Sequence, residues 1–246
     1  MPPTWLGWSR PRRAQSDLVP TLRLLSYNVR SLRDDEAAVA RVIRAAEPHV
    51  VCIQEAPRFV RWRSRCAALA RRSGLVVVGG GRPAAANLLL CTLGVEVHQV
   101  RDVRFSHDRG LHQRGMALAL LSLRGSRFAI AGTHLDLEPA PRLRHVGELH
   151  RALDEFAGEG AAVVAGDIND LPDSAPWRAL ADVRADAFAV AGAGDGFTYS
   201  ATDPVRRIDG VFVDARLRPR SAVVPDSPDV LLASDHRPVL VEIELP

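Results

Sequence analysis

Apolar and polar positions along this chain fall into short blocks, and the period of each block names an element. Two-residue alternation, or a brief apolar run bounded by turn residues, predicts a strand. Such blocks are Leu22–Val29, Val50–Gln54, Leu75–Val78, Asn87–Cys91, Gly94–Val100, Met116–Leu123, Arg127–His134, Ala161–Gly166, Ile208–Val213 and Pro238–Leu245. Some are joined by very short connections, such as LRGSR at 123–127, so hairpins are expected. Apolar spacings of three and four predict helices. In the first, Asp34 or Asp35 is the cap, Val39, Val42, Ile43 and Ala46 face inward, and Pro48 stops the helix. The second runs from about Arg58 to Arg72 with Phe59, Trp62, Cys66 and Leu69 as its stripe. The third spans about Arg142 to Gly158 and carries Leu143, Val146, Leu149, Leu153 and Phe156. Many strands and few amphipathic helices imply sheets packed face to face and covered outside by helices.

Residues 1–20 show no period and are rich in Pro and Arg, which reads as a loose arm before one domain at 21–246. Within that arm, Trp5 and Trp8 are expected to pack back onto the domain. No sequence motif repeats, and no linker interrupts the chain after residue 20.

Composition narrows the class. With 47% apolar and 25% charged residues over 246 positions, the chain can build a sizeable core. The net charge of +3 does not imply strong nonspecific attraction to nucleic acid. All 32 basic residues are arginine, a bias that a GC-rich genome explains. Its chemical consequence is that every basic contact to an anion is a planar guanidinium fork. Cys52, Cys66 and Cys91 have no paired spacing, which argues against a disulfide framework or a zinc site and fits a reducing, cytoplasmic compartment. The absence of a signal-like apolar segment or of a run long enough to span a bilayer leads to the expectation of a soluble protein without membrane insertion.

The informative chemistry lies where apolar strands stop. LLSYNV brings Asn28 near its end, VVCIQE ends in Glu55, AIAGTHLD in His134 and Asp136, and AAVVAGDIN in Asp167 and Asn169. RRIDGVFV begins around Asp209, and ASDHRPVLVEIEL sets Asp235 and His236 just before the last strand. One such cluster is a turn; six recurring at strand ends indicate a site assembled at one end of the sheets. Carboxylate and amide oxygens are hard ligands suited to Mg²⁺ or Mn²⁺. A divalent ion beside histidines and an Asp/Asn pair suits hydrolysis at phosphorus, with a carboxylate orienting water and an imidazolium meeting developing charge.

The ordered fragments YNV, QE, THLD, GDIN, RIDGVF and SDHRPV resemble the endonuclease/exonuclease/phosphatase superfamily over roughly residues 22 to 245. That superfamily includes DNase I-like nucleases, AP endonucleases, sphingomyelinases and inositol polyphosphate phosphatases. The resemblance implies an α/β fold, a four-layer α/β/β/α sandwich of two packed, mainly antiparallel sheets flanked by helices, and a Mg²⁺-dependent phosphoesterase, with Mn²⁺ an alternative. By motif, Glu55 is the main metal ligand with Asn28 nearby, and Asp235 serves that metal or a second one. Asp167 orients the attacking water, and Asn169 helps position water and phosphate. His236 binds the phosphate with its ring held by Asp209, and His134 stabilises or protonates the leaving oxygen. Asp136 is a supporting group. THLD is closer to the phosphodiesterase and phosphatase branches than to AP endonucleases. Gly210 stands where an aromatic is common, through either a wider pocket or repacking, and Asn87 in AANLLL resembles the family's GNAIL segment.

Other polar residues have plainer readings. His49, His98, His107, His112, His145 and His150 are expected on surfaces or helices, and Glu138, Asp173 and Asp195 in loops. Asp209 could alternatively pair with Arg206 or Arg207 at the surface. The arginines of RFVRWRSRCAALARR read as a solvated helix face, with anion binding the lesser alternative. The segment RDVRFSHDRGLHQRG at 101–115 is the substrate-loop candidate, with Arg109 and Arg114 as substrate contacts. The reading reached is a phosphodiesterase acting on a phosphate ester, foremost a nuclease acting on nucleic acid. The alternatives are a phosphomonoesterase or phospholipid/inositol-phosphate phosphatase, and a noncatalytic phosphate-ligand binding module. The sequence does not say which protein partners, if any, the chain has.

Overall fold

The computed structural model describes residues 19–246. In chain order these form β1 (Thr21–Asn28), α1 (Glu36–Ala46), β2 (Val50–Gln54), α2 (Trp62–Arg72), β3 (Val76–Gly81), β4 (Asn87–Cys91), β5 (Val95–Arg104) and β6 (Gly115–Leu123). They continue as β7 (Ser126–His134), α3 (Pro139–Ala157), β8 (Ala162–Asp167), α4 (Ala175–Ala181), β9 (Ala185–Asp186), α5 (Ala187–Ala191), β10 (Asp209–Val213), β11 (Arg218–Val223), α6 (Pro228–Ala233) and β12 (Val239–Glu244). The expected arm, with Trp5 and Trp8, lies outside the described residues apart from positions 19 and 20.

Two six-stranded sheets result, ordered β11-β12-β1-β2-β4-β3 and β5-β6-β7-β8-β10-β9. Each is mixed: β1 and β2 run parallel in the first, β7 and β8 in the second, and the other pairs are antiparallel. A parallel pair needs a crossover, which α1 and α3 provide on the outer faces. The four-layer sandwich expected from the sequence is therefore the observed fold.

Strand side chains alternate between faces, and that alternation builds three apolar layers. Leu22 and Leu24 of β1, Val50 and Cys52 of β2, Phe128 and Ile130 of β7 and Val163 and Ala165 of β8 meet between the sheets. Their neighbours Leu25, Tyr27, Val51 and Ile53 face out beneath α1, α2 and α6. On the other sheet, Ala129, Ala131, Ala162, Val164 and Phe212 lie beneath α3 and α4. Each strand near the centre is thus buried on both faces, which explains its nearly unbroken apolar run.

Asp35 is the cap of α1: its side chain accepts from Ala37 N at 2.8 Å and Ala38 N at 3.0 Å, satisfying two of the helix's free N–H groups. The expected second helix is shorter than its pattern. Arg61 has φ 55°, in the left-handed region, so α2 begins at Trp62 and Phe59 is 72% exposed instead of buried. The third helix starts earlier, at Pro139, whose fixed φ suits a first turn; Arg142 and His145 are buried while Leu143 is exposed. The strand expected at Gly94–Val100 continues to Arg104. Not foreseen were β9, β11, α4, α5 and α6, which are short or, for β11 (RPRSAV), lack apolar alternation. All three cysteines are buried and free, and no helix among the described residues is long and apolar enough to cross a membrane.

Candidate active site

The same alternation that builds the layer between the sheets also builds the site. Following β1 inward from Leu22 and Leu24, the two-residue step reaches Ser26 and then Asn28. The inward series of β7 ends at His134, that of β8 at Asp167, and that of β10 begins at Asp209. Pairing register then aligns them: His134 is opposite Asp167 across the parallel pair, and Asp167 opposite Asp209 across the antiparallel one. Three polar side chains thus form a row across one sheet, all buried.

Asn28 meets this row from the other sheet. Its Nδ2 donates to Asp167 Oδ2 at 2.9 Å and to Glu55 Oε1 at 3.3 Å, while its Oδ1 accepts from Arg30 N at 3.0 Å. His236, just before β12, donates from Nδ1 to Asp209 Oδ2 at 2.8 Å, and its Nε2 lies 3.7 Å from Asp167 Oδ2. Ser234 ties that turn down by donating to Asn28 O at 2.7 Å, and the Tyr199 ring packs 4.9 Å from the His236 ring. Asn169 donates from its backbone to Asp167 Oδ1 at 3.0 Å and from Nδ2 to His134 Nε2 at 2.9 Å and Leu135 O at 3.0 Å. His134 Nε2 also stands 3.3 Å from Asp167 Oδ2, which makes that oxygen the hub of the cluster.

The local backbone is unusual here. Glu55 (φ 52°) and Asn169 (φ 57°) are left-handed, as are Ser31, Ala85 and Ala86, and all five line the cleft. Such conformations cost non-glycine residues free energy and are held by surrounding contacts. For Asn169 one contact is the nearly buried Arg142, whose guanidinium donates to the Asn169 carbonyl and pairs with Asp170 at 3.2 Å.

Electrostatics divides the two histidines. Burial opposes a charge on His236, but Asp209 and Asp167 more than offset it and push its imidazole up to about 10. His134 has the opposite fate: burial, with Arg114 and His236 nearby, holds it well below the ordinary histidine value. Asp167 is pushed up to about 7, first by burial and then by Asp209. One imidazolium, one neutral imidazole and a carboxyl poised near neutrality therefore share a few ångströms.

These groups open into a cleft of about 430 Å³. Glu55, Asp235, His134, Asp167, Asn169 and His236 line it, so most sequence candidates converge. Asp235 is partly exposed and faces Arg30 at 3.4 Å. Arg114 also reaches the cleft and is backed by buried Asp136 at 3.9 Å. Arg109 does not: it sits exposed in the connection between β5 and β6, away from the lining, because that connection turns out into solvent before Arg114 returns. Arg101 and Arg104 of the same segment belong to β5. Gly210 widens nothing. It faces the outer layer, where an added Cβ would lie 2.9 Å from both the Trp177 and Phe212 rings, so the absent side chain makes room for Trp177.

Several cleft residues carried no signal in the sequence. Tyr199 comes from a long irregular connection, and His112, exposed as expected, also lines the cleft from the loop before β6. Arg33, Arg58 and Arg206 line the cleft too. Arg206 lies over the Tyr199 ring at 4.7 Å instead of pairing with Asp209. His145 is buried on α3, stacked on Phe105. Asn87, buried beneath the cleft, donates to Ala84 O at 2.8 Å and Gly115 O at 2.9 Å, joining the two sheets.

Two face-to-face mixed sheets with a buried Asp, Asn and His set at one end define a class, the DNase I-like α/β sandwich. The sequence profile of the Endonuclease/Exonuclease/phosphatase family matches residues 25–236, and the chain belongs to that family of phosphoester hydrolases. No curated protein matches the chain significantly by sequence. Among solved structures, an endonuclease/exonuclease/phosphatase from Bacteroides vulgatus is similar at 22% identity and TM-score 0.78, covering 92% of this chain and 100% of that one. A mannosyl-6-phosphatase from Bacteroides thetaiotaomicron shares 16% identity with TM-score 0.78, over 90% of this chain and 99% of that one. Also similar is TDP2 of D. rerio complexed with a single-stranded DNA product, at 16% identity and TM-score 0.71, over 91% of this chain and 98% of that one.

Proposed function

We propose that this chain is a divalent-metal-dependent phosphodiesterase, a nuclease, that hydrolyses its substrate by in-line attack of water on phosphorus. The observation that carries the reading is Asp167 Oδ2, approached within 3.7 Å by Asn28, His134 and His236 in a cleft lined by arginine. Asp167, pushed up to about 7, is matched to orienting a water molecule and taking its proton near neutral pH. His236 carries the positive charge for a non-bridging phosphate oxygen, and Asp209 fixes its ring and keeps it charged. Asn169 holds the Asp167 carboxyl and the His134 ring in register. His134, kept neutral and accepting from Asn169 at Nε2, has only its Nδ1–H to offer the leaving oxygen, as a hydrogen-bond donor and not as an imidazolium acid. Arg114 adds a cation beside these groups.

The donor chemistry of the cleft fits a hard divalent ion. Glu55 and Asp235 offer carboxylate oxygens at the cleft wall, with no thiolate among the lining groups. Asn28 lies behind them with its Nδ2 on Glu55 and its Oδ1 on Arg30 N, so it joins the donor set through an amide oxygen only once that side chain turns over. Asp167, Asp209 and His236 also lie close enough to hold an ion. There, however, the His236–Asp209 contact is a charge-assisted hydrogen bond, and a protonated ring offers no lone pair to a metal. Glu55, Asn28 and Asp235 are therefore the proposed ligands of Mg²⁺, or Mn²⁺, which when bound would neutralise phosphate oxygens. A cytoplasmic location and one catalytic domain at 21–246 belong to the same reading.

A second reading, a phosphomonoesterase, is favoured by one observation: Arg33, Arg58, Arg114 and Arg206 all line the cleft, a charge density suited to a dianion. Hydrolysis of single- and double-stranded DNA, RNA, a generic phosphodiester and several phosphomonoesters, with Mg²⁺, Mn²⁺ or EDTA, separates the two. Metal-dependent cleavage of diesters but not monoesters is expected. The reverse pattern selects the monoesterase, and a metal-binding protein that cleaves none of them is a binding module.

A further inference from the structure

A second groove, of about 720 Å³, adjoins the catalytic cleft and shares Arg58, Phe59 and Ala85 with it. Arg61, Arg82 and Arg104 add to its walls, and no acidic side chain does. Among the described residues, none of Arg58, Arg61, Arg82 and Arg104 takes part in an ion pair within 4.0 Å. The contrast with the neighbouring flank is informative. There Arg101, Arg142 and Arg144 are each paired, with Glu155, Asp170 and Asp108. Among the described residues, arginines without an ion pair also occur singly elsewhere on the surface, Arg109, Arg127 and Arg151 among them; the groove differs in gathering four of them in one lining that contains no carboxylate.

The groove also exposes apolar surface. Phe59 is 72% and Val60 84% exposed, because the left-handed turn at Arg61 ends the segment before α2 can draw them into its buried stripe. Arg58 lies over the Phe59 ring at 5.2 Å. An accessible aromatic face among unpaired guanidinium groups, leading into a phosphoesterase cleft, has the chemistry of a stacking platform beside a phosphate track. A duplex hides its base faces within the stack; a single strand offers them.

We propose that this groove binds the single-stranded nucleic acid chain that continues from the scissile phosphodiester, with Arg61, Arg82 and Arg104 following its phosphates and Phe59 meeting a base. The inference rests on the phosphodiesterase reading and extends it to a substrate class. It is tested by fluorescence anisotropy in EDTA with a labelled oligothymidylate of about 12 nucleotides. The wild-type chain is compared with the Arg61→Gln/Arg82→Gln/Arg104→Gln variant and with Arg82→Gln alone. Circular dichroism and thermal unfolding check that each folds. Turnover of bis-p-nitrophenyl phosphate with Mg²⁺, too small to reach the groove, reports the catalytic cleft separately.

The triple variant should bind the oligonucleotide at least about tenfold more weakly, and its salt slope should fall by about 2, near 0.7 for each lost single-strand phosphate contact. Turnover of the small diester should be unchanged, and Arg82→Gln should show a smaller loss in the same direction. Oligonucleotide binding equal to wild type in the folded triple variant overturns the inference. So does wild-type binding of a duplex as tightly as the single strand, or of phosphatidylserine vesicles in place of the oligonucleotide. If the wild type binds the oligonucleotide through these arginines yet hydrolyses no diester, the groove stands and the phosphodiesterase reading alone falls.

Discussion

The layer between the two sheets has an apolar end and a polar end, and the same strands supply both. At one end the inward positions are Leu22, Phe128, Val163 and Val213; at the other they are Asn28, His134, Asp167 and Asp209. Backbone geometry, register and burial are alike along each strand, so only the side-chain chemistry changes. At the apolar end, burial contributes directly to stability, roughly 25 cal/mol for each Å² of apolar surface removed from water. At the polar end burial costs free energy, offset where the groups bond one another, as Asp167 does with Asn28 and Asn169 and Asp209 with His236. The fold thus provides a rigid, dry scaffold, and its polar end converts desolvation into shifted proton affinities. The comparison predicts that substitutions at the two ends separate activity from stability.

The largest effect should come from Asp167→Asn, which keeps the shape of the hub and removes its capacity to take a proton. Activity should fall about 10³-fold or more with the thermal unfolding midpoint nearly retained, and steady-state kinetics on whichever ester of the panel the wild type cleaves would check it. Activity within tenfold of wild type would remove Asp167 from the chemistry. At the apolar end, Phe128→Ala should lose about 3–5 kcal/mol of stability, measured by urea unfolding, with the activity of the remaining folded protein preserved.

Asp209→Asn sharpens the comparison because it alters charge without changing size. A histidine raised to about 10 contributes stability that is fully present below its ordinary value near 6.5 and is lost as pH rises through 10. Removing the Asp209 charge lowers the folded value, so both that loss and the alkaline limb of the activity profile should move to lower pH. NMR titration of the metal-free protein reads the shift at the ring, and activity at neutral pH should drop about 10²-fold. A ring that titrates unchanged in the variant would show that Asp209 does not hold the charge.

Smaller effects are expected beyond the row. Gly210→Ala crowds Trp177 and Phe212 on the outer face, so it should cost about 1–3 kcal/mol in unfolding experiments and leave turnover within about twofold. Arg109→Ala, exposed and outside the lining, should change KM by less than about twofold. A larger effect would mean that its loop closes over the bound substrate.

Much of this was legible along the chain. Period-two alternation revealed the principal strands, because the backbone alone sets which side chains share a face. It also placed Asn28, His134 and Asp167 at the inward ends of their strands, since each continues a visible apolar series. The order of YNV, QE, THLD, GDIN, RIDGVF and SDHRPV pointed to the family, and the family match over 25–236 agrees with it. Phe59 was misjudged because helical spacing cannot register a left-handed residue at Arg61 that cuts the helix off.

What the tertiary structure alone decided are the quantities that depend on distance across the fold. Asn28 and Asp167 are 139 positions apart and 2.9 Å apart in space. Nothing local distinguishes Arg114, which enters the cleft, from Arg109, which does not, or gives Tyr199 and His112 a place in it. Nor does composition tell that His236 is held charged and His134 neutral, because those states follow from which carboxylates and guanidinium groups surround each ring after burial. Local backbone geometry fixes the face a side chain takes. Its neighbours, and with them its charge, are fixed only when distant strands pair and the two sheets close.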